Sequence, residues 1–154
     1  THYHTGHPHG FLNVMYMGEV STCKILADKS NRITELKSKT IPYPKALKDA
    51  IIGYYMFEAN FSLMFARDNV DKDDISYVTG HCFRTISCLN QVLFALNEKK
   101  AVRMIDGFAK KPQEYKHRID QIIALLSPNV DSTNQALDIL EALITKTHEL
   151  VKNR

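Results

Sequence analysis

From Pro44 to the C-terminal end, apolar residues recur at the three- and four-residue steps of an α-helix, and no other feature narrows the fold so far. Pro44 suits a first helical turn, and Ala46, Leu47, Ala50, Ile51, Tyr54, Tyr55, Phe57, Phe61, Leu63, Met64 and Phe65 carry an apolar stripe to about Asn69. That helix is apolar on two sides, which predicts a central place in a bundle. Asp71 to Asp74 supply capping side chains and first-turn negative charge for a second helix, about Asp73 to Asn97. Two long helices joined by so short a polar turn form an antiparallel pair.

Residues 99 to 109 read as a shorter helix ending near Gly107. A fourth helix starts at Pro112 and stops before Pro128, and Asp131 and Ser132 cap a fifth that reaches Val151. The expected architecture over 44–154 is therefore mainly α, an antiparallel helical bundle of about five helices. Ahead of it, FLNVMYMGEVSTCKILAD is rich in β-branched and aromatic residues and reads as one or two strands, or as a strand with a short helical turn. NRITELKSKT follows as a weakly helical stretch, and Pro42 with Pro44 marks the boundary. Residues 1 to 43 are thus expected to be a short α/β stub. The start at Thr1, with its histidine-rich run, fits a piece of a longer chain.

Composition excludes several classes of function. Twenty basic residues against 17 acidic ones give a formal charge of +3, too even a mixture to single out nucleic acid as a partner. Cys23, Cys82 and Cys88 lack CxxC spacing and lie in apolar surroundings, as reduced thiols of a cytoplasmic protein do. No apolar run has the length of a membrane span. Nucleotide-loop, metalloprotease and nucleophile-elbow motifs are absent, and His81 and Cys82, being adjacent on a helix, point about 100° apart and cannot form a catalytic pair.

His2, His4, His7 and His9 alternate in a way that could bring two of them to one metal ion on an extended strand, but Gly6 and Pro8 interrupt that strand. A polar loop beside the following segment is the simpler reading. In the second helix, Tyr77, His81, Arg84 and Ser87 or Cys88 share one polar stripe. On an exposed face such a stripe means nothing; on a helix with apolar flanks it would line a groove, where Arg84 would offer a guanidinium fork to phosphate or carboxylate. Glu58 lies within YYMFEANF, so its carboxylate is expected either to pair with a base such as Arg84 or to face a cavity.

Longer motifs carry a resemblance. TGHPHGFLNVMYMGEVSTCKILAD, LKSKTIPYPKAL and FEANFSLMFARDNVDKDDISYVTGHCFRTISCLNQVLFALNEKKAV together resemble the C-terminal two-thirds of bacterial nucleotidyltransferase-like proteins. Those proteins belong to the DNA polymerase β-like nucleotidyltransferase superfamily, near the aminoglycoside nucleotidyltransferases. The resemblance implies that residues 1–43 end an α/β catalytic domain and that residues 44–154 form a bundle closing over the substrate. It implies Mg²⁺-dependent transfer of a nucleoside monophosphate from a nucleoside triphosphate to a hydroxyl of a small-molecule or macromolecular acceptor.

Carried over residue by residue, the resemblance implies substrate binding by His7, His9, Glu19, His81, Arg84, Asn97 and Lys99. Glu58 or Glu98 would be the base for the acceptor hydroxyl. Two departures stand out. The Gly-Ser turn and D-x-D pair that bind the metal do not occur, so the Mg²⁺ ligands are expected upstream of Thr1. Asn97 also runs straight into Glu98-Lys99, where the family carries a further loop with a Tyr, so the loop is shortened or residues are lost. A ribonuclease reading fails because no His follows Arg84, Arg103 or Arg118 at the required four to six residues. The alternative is a non-catalytic helical module that binds a partner, as a homodimer or in an antitoxin-like role.

Overall fold

The computed structural model describes residues 14–98 and 109–153. Its elements are α1 (Val14–Thr22), α2 (Arg32–Ser38), α3 (Lys45–Arg67), α4 (Ile75–Leu96), α5 (Tyr115–Leu125) and α6 (Val130–Lys152). The mainly α, helical-bundle architecture holds: α3 lies along α4, α6 packs on α3, α4 and α5, and α1 packs on α2. The short helix expected over residues 99 to 109 falls almost entirely outside the described residues.

Residues 14 to 22 correct the strand expectation, since they are helical and no strand occurs among the described residues. The helix is closed by its own polar side chains. Ser21 Oγ and Thr22 Oγ1 donate to the Gly18 carbonyl at 2.6 and 2.9 Å, and Cys23 Sγ donates to that of Val20 at 3.0 Å. These local bonds occupy carbonyls that a helix end leaves open, whereas a lone strand without a neighbour has its whole backbone unpaired.

The weakly helical 31–40 stretch is α2, and its cap comes from outside the expected position. Asp28 accepts hydrogen bonds from the Thr34 backbone N–H at 2.8 Å and from Thr34 Oγ1 at 2.9 Å, while Asn31 itself sits in the left-handed region at φ 55°. Those bonds, the backbone bond first, hold the Asp28 carboxyl below its ordinary value.

Among the expected caps of α4, Asp74 is the one used: its Oδ1 accepts from the Tyr77 N–H at 3.0 Å and from Ser76 Oγ at 2.7 Å. Two helix starts differ from expectation. Pro112 lies in a turn before α5, which begins only after Glu114 turns the chain at φ 56°. α6 is capped by Asn129, whose Oδ1 accepts from the Ser132 N–H at 2.8 Å, so Asp131 and Ser132 are first-turn residues.

The core draws Ile52, Leu63 and Ala66 from α3, Val78, Leu89, Val92, Leu93 and Leu96 from α4, Ile122 from α5, and Leu137, Leu140 and Leu143 from α6. Each large side chain buried there contributes about 1.5–3 kcal/mol relative to exposure. Tyr115 is buried as well, and its Oη donates to Asn90 Oδ1 at 3.0 Å, tying α5 to α4 while satisfying the hydroxyl. At the surface, Arg67 Nη2 reaches Asp138 Oδ1 at 2.6 Å and Glu141 Oε2 at 2.8 Å, linking α3 to α6.

The second apolar side of α3 is the main departure from the sequence reading. Tyr54 (58%), Phe57 (62%), Phe61 (38%) and Met64 (47%) are exposed, so α3 is not enclosed by the described helices. Periodicity records that a face is apolar but carries no information on what covers it. No helix among the described residues is long and apolar enough to cross a membrane.

Candidate functional site

Residues from facing turns of α3 and α4 meet where the two helices pack. Glu58 accepts a hydrogen bond from Arg84 Nη2 through Oε2, with the Glu58 side chain 13% exposed and that of Arg84 41%. The antiparallel pairing of two long helices brings together residues 26 positions apart in sequence, as the expected Glu58–Arg84 pair requires. Around this pair runs a ladder of rings. Phe57 stacks on Phe61 (centroids 5.7 Å), Phe61 meets Phe65 edge-on (4.8 Å), Phe65 stacks on His81 (5.5 Å), and His81 contacts Tyr77 (4.5 Å).

The polar stripe of α4 thus meets α3 at Glu58 and Phe65. Burial, and secondarily the Arg84 charge, lowers the pKa of His81 and favours its neutral form. Its Nδ1 is buried and has no hydrogen-bond partner among the described residues. Cys88 lies on the same side, its thiol pushed up to about 11 by burial and by Glu58, with Arg84 opposing. Tyr55, also beside Glu58, is raised to about 12, chiefly by burial. Neither group is a nucleophile at neutral pH. The arrangement sets a carboxylate and a guanidinium beside a run of aromatic rings.

A second group forms where the start of α3 meets the end of α4. Lys48 Nζ contacts Glu98 Oε1 at 2.9 Å, and Tyr43, Lys45, Lys48, Asp49, Glu98 and Lys110 line a cavity of about 490 Å³. Glu98 is held in the left-handed region at φ 51°, and the Lys48 hydrogen bond and charge keep its carboxyl below the ordinary value. Asn97 fastens the returning chain: its Oδ1 accepts from the Lys110 N–H at 2.7 Å and its Nδ2 donates to the Lys110 carbonyl at 2.8 Å. Sequence reasoning did not mark Lys48 or Lys110, because a lysine at a helix start and another beyond it carry no local signal of facing each other.

The expected site residues therefore divide. Glu58, His81 and Arg84 are together, and Asn97 and Glu98 are together. Lys48 and Glu58 are ten residues apart on α3, so the two carboxylates belong to groups separated by roughly 15 Å of helix. Glu19 is exposed on α1, which packs on α2 and lines neither group. His7, His9 and Lys99 lie outside the described residues. Among the described residues no cluster of three or more His, Cys, Asp or Glu could hold a metal ion, and Glu58 and Glu98 are each committed to a cation. No family model matches the chain, and no curated protein or solved structure shows significant similarity to it.

Proposed function

We propose that the chain is the C-terminal part of a nucleotidyltransferase-like protein, and that its α3–α4 pair receives the acceptor whose hydroxyl takes the nucleoside monophosphate. The observation that carries this reading is the Glu58–Arg84 pair, a largely enclosed carboxylate held by one guanidinium between α3 and α4. Arg84 occupies Oε2 and fixes the carboxylate plane, so that Oε1 can accept the proton of an acceptor hydroxyl as the oxygen attacks the α-phosphorus and diphosphate leaves. Of the two carboxylates that the resemblance marks as the base, Glu58 is favoured over Glu98, which is bound to Lys48 among other lysines. The Lys45, Lys48 and Lys110 cavity also holds Asp49 and Glu98, which pair with Lys45 and Lys48.

Magnesium is implied by the resemblance alone, and its ligands belong to residues other than those described. The test is transfer of labelled nucleoside monophosphate by the protein expressed from its complete reading frame, with nucleoside triphosphate and Mg²⁺ against a panel of hydroxyl acceptors. Glu58→Gln is expected to lower kcat at least a hundredfold with little change in nucleoside triphosphate affinity. No transfer to any acceptor, or transfer that Glu58→Gln leaves intact, would overturn the reading. The alternative is a non-catalytic helical module, in a homodimer or an antitoxin-like role, and the exposed aromatic side of α3 favours it.

A further inference from the structure

From Ala50 to Met64 the exposed residues of α3 are all uncharged, with Asp49, its side chain 42% exposed and paired with Lys45, bordering them at the N-terminal end. The outward side consists of Ala46, Ala50 and Gly53 toward the N-terminal end, then Tyr54, Phe57, Asn60, Phe61 and Met64. Ala50, Tyr54, Phe57, Phe61 and Met64 stand at steps of four, three, four and three, the spacing by which one helix presents a continuous seam to another. Water-facing helix positions are ordinarily charged or polar. The exposed fractions of the four large side chains amount to roughly 300–500 Å², to which the small residues between them add. A standard protein interface buries about 800 Å² on each partner.

We infer that this face joins two copies of the chain in a two-fold dimer, with α3 packed antiparallel on α3 of the second copy. The distribution of side-chain size along the seam selects this occupant. The end with Ala46, Ala50 and Gly53 is small, and the end with Phe57, Phe61 and Met64 is large. Antiparallel pairing of identical helices sets each large end on the partner's small end, with Ala50 facing Phe61 of the partner subunit and the two-fold axis passing between Tyr54 and Phe57.

Gly53 agrees with this. Glycine weakens a helix interior, and a Cβ added at Gly53, as at Gly80 of α4, meets nothing within 4 Å among the described residues, so packing among them gives no reason for it. A partner's aromatic side chain over that position does. The dimer does not depend on nucleotidyl transfer.

Sedimentation equilibrium of the 154-residue protein tests the inference. The wild type is expected to be a dimer at ~100 µM, where an interface of this size associates. Gly53→Glu has room for its side chain and replaces a residue that weakens the helix, so it should fold and yet sediment as a monomer with unchanged helical circular dichroism. Ala50→Phe should weaken the dimer at least tenfold, and Ala50→Phe combined with Phe61→Ala should restore it by exchanging large for small across the axis. A monomeric wild type, a dimer indifferent to Gly53→Glu, or a double variant as weak as Ala50→Phe would each overturn the inference. So would a chain that stays monomeric and associates only with a different protein.

Discussion

Arg84 on α4 and Glu58 on α3 face each other across the antiparallel helix pair, and the guanidinium donates to a carboxylate that is 13% exposed. Removing either partner leaves the other charge half-desolvated, which costs more than breaking a pair in open water and less than breaking one in a sealed core. Glu58→Gln and Arg84→Gln are each expected to lower stability by about 1–2 kcal/mol, and the double variant by clearly less than their sum. Urea unfolding of the four proteins measures this, and additive losses would show that the pair contributes nothing as a pair.

His81 makes stability depend on pH in one direction. Its folded pKa lies below the ordinary 6.5, through burial first and the Arg84 charge second. At pH values above 6.5 both folded and unfolded chains hold the ring neutral; as pH falls below that, the unfolded chain takes up the proton first and folding weakens. The loss of stability between pH ~7.5 and ~5.5 should be smaller in His81→Gln than in the wild type. Urea midpoints measured across that range decide the point, and parallel curves for the two proteins would exclude His81 as a source.

Cys82 and Cys88 are buried, with thiols pushed up to about 11. At pH ~8 their alkylation by iodoacetamide should be roughly a hundredfold or more slower than that of a free thiol, and should reach the free rate in denaturant. Mass-spectrometric mapping of the labelled sites reads this directly. Rapid modification of either cysteine in the folded protein would contradict its place in the core.

Much of this molecule is legible in its sequence because a helix is written locally. The apolar steps from Ala46 to Phe65 and those within α4 and α6 place the long helices within a few residues of their observed ends. The pairing of Glu58 with Arg84 was legible too, because two long helices and a short turn leave one way to fold back. The misreadings lie where local signals compete. Met, Val and Tyr in residues 14 to 22 suit a strand as well as a helix, and hydrogen bonds to the Gly18 and Val20 carbonyls close the helix. Asp28 caps α2 through a turn that a fixed spacing rule does not anticipate.

A bundle of amphipathic helices, with an acid and a base placed to meet between the first two, follows from the residue order alone, since periodicity and chain reversal are properties of short segments. That Glu58 and Glu98 serve different groups, that Lys48 and Lys110 share a cavity with Glu98, and that one side of α3 stays uncovered by the described helices emerge from the folded chain. Those outcomes depend on where separate helices come to rest along one another, and packing between distant segments sets that position.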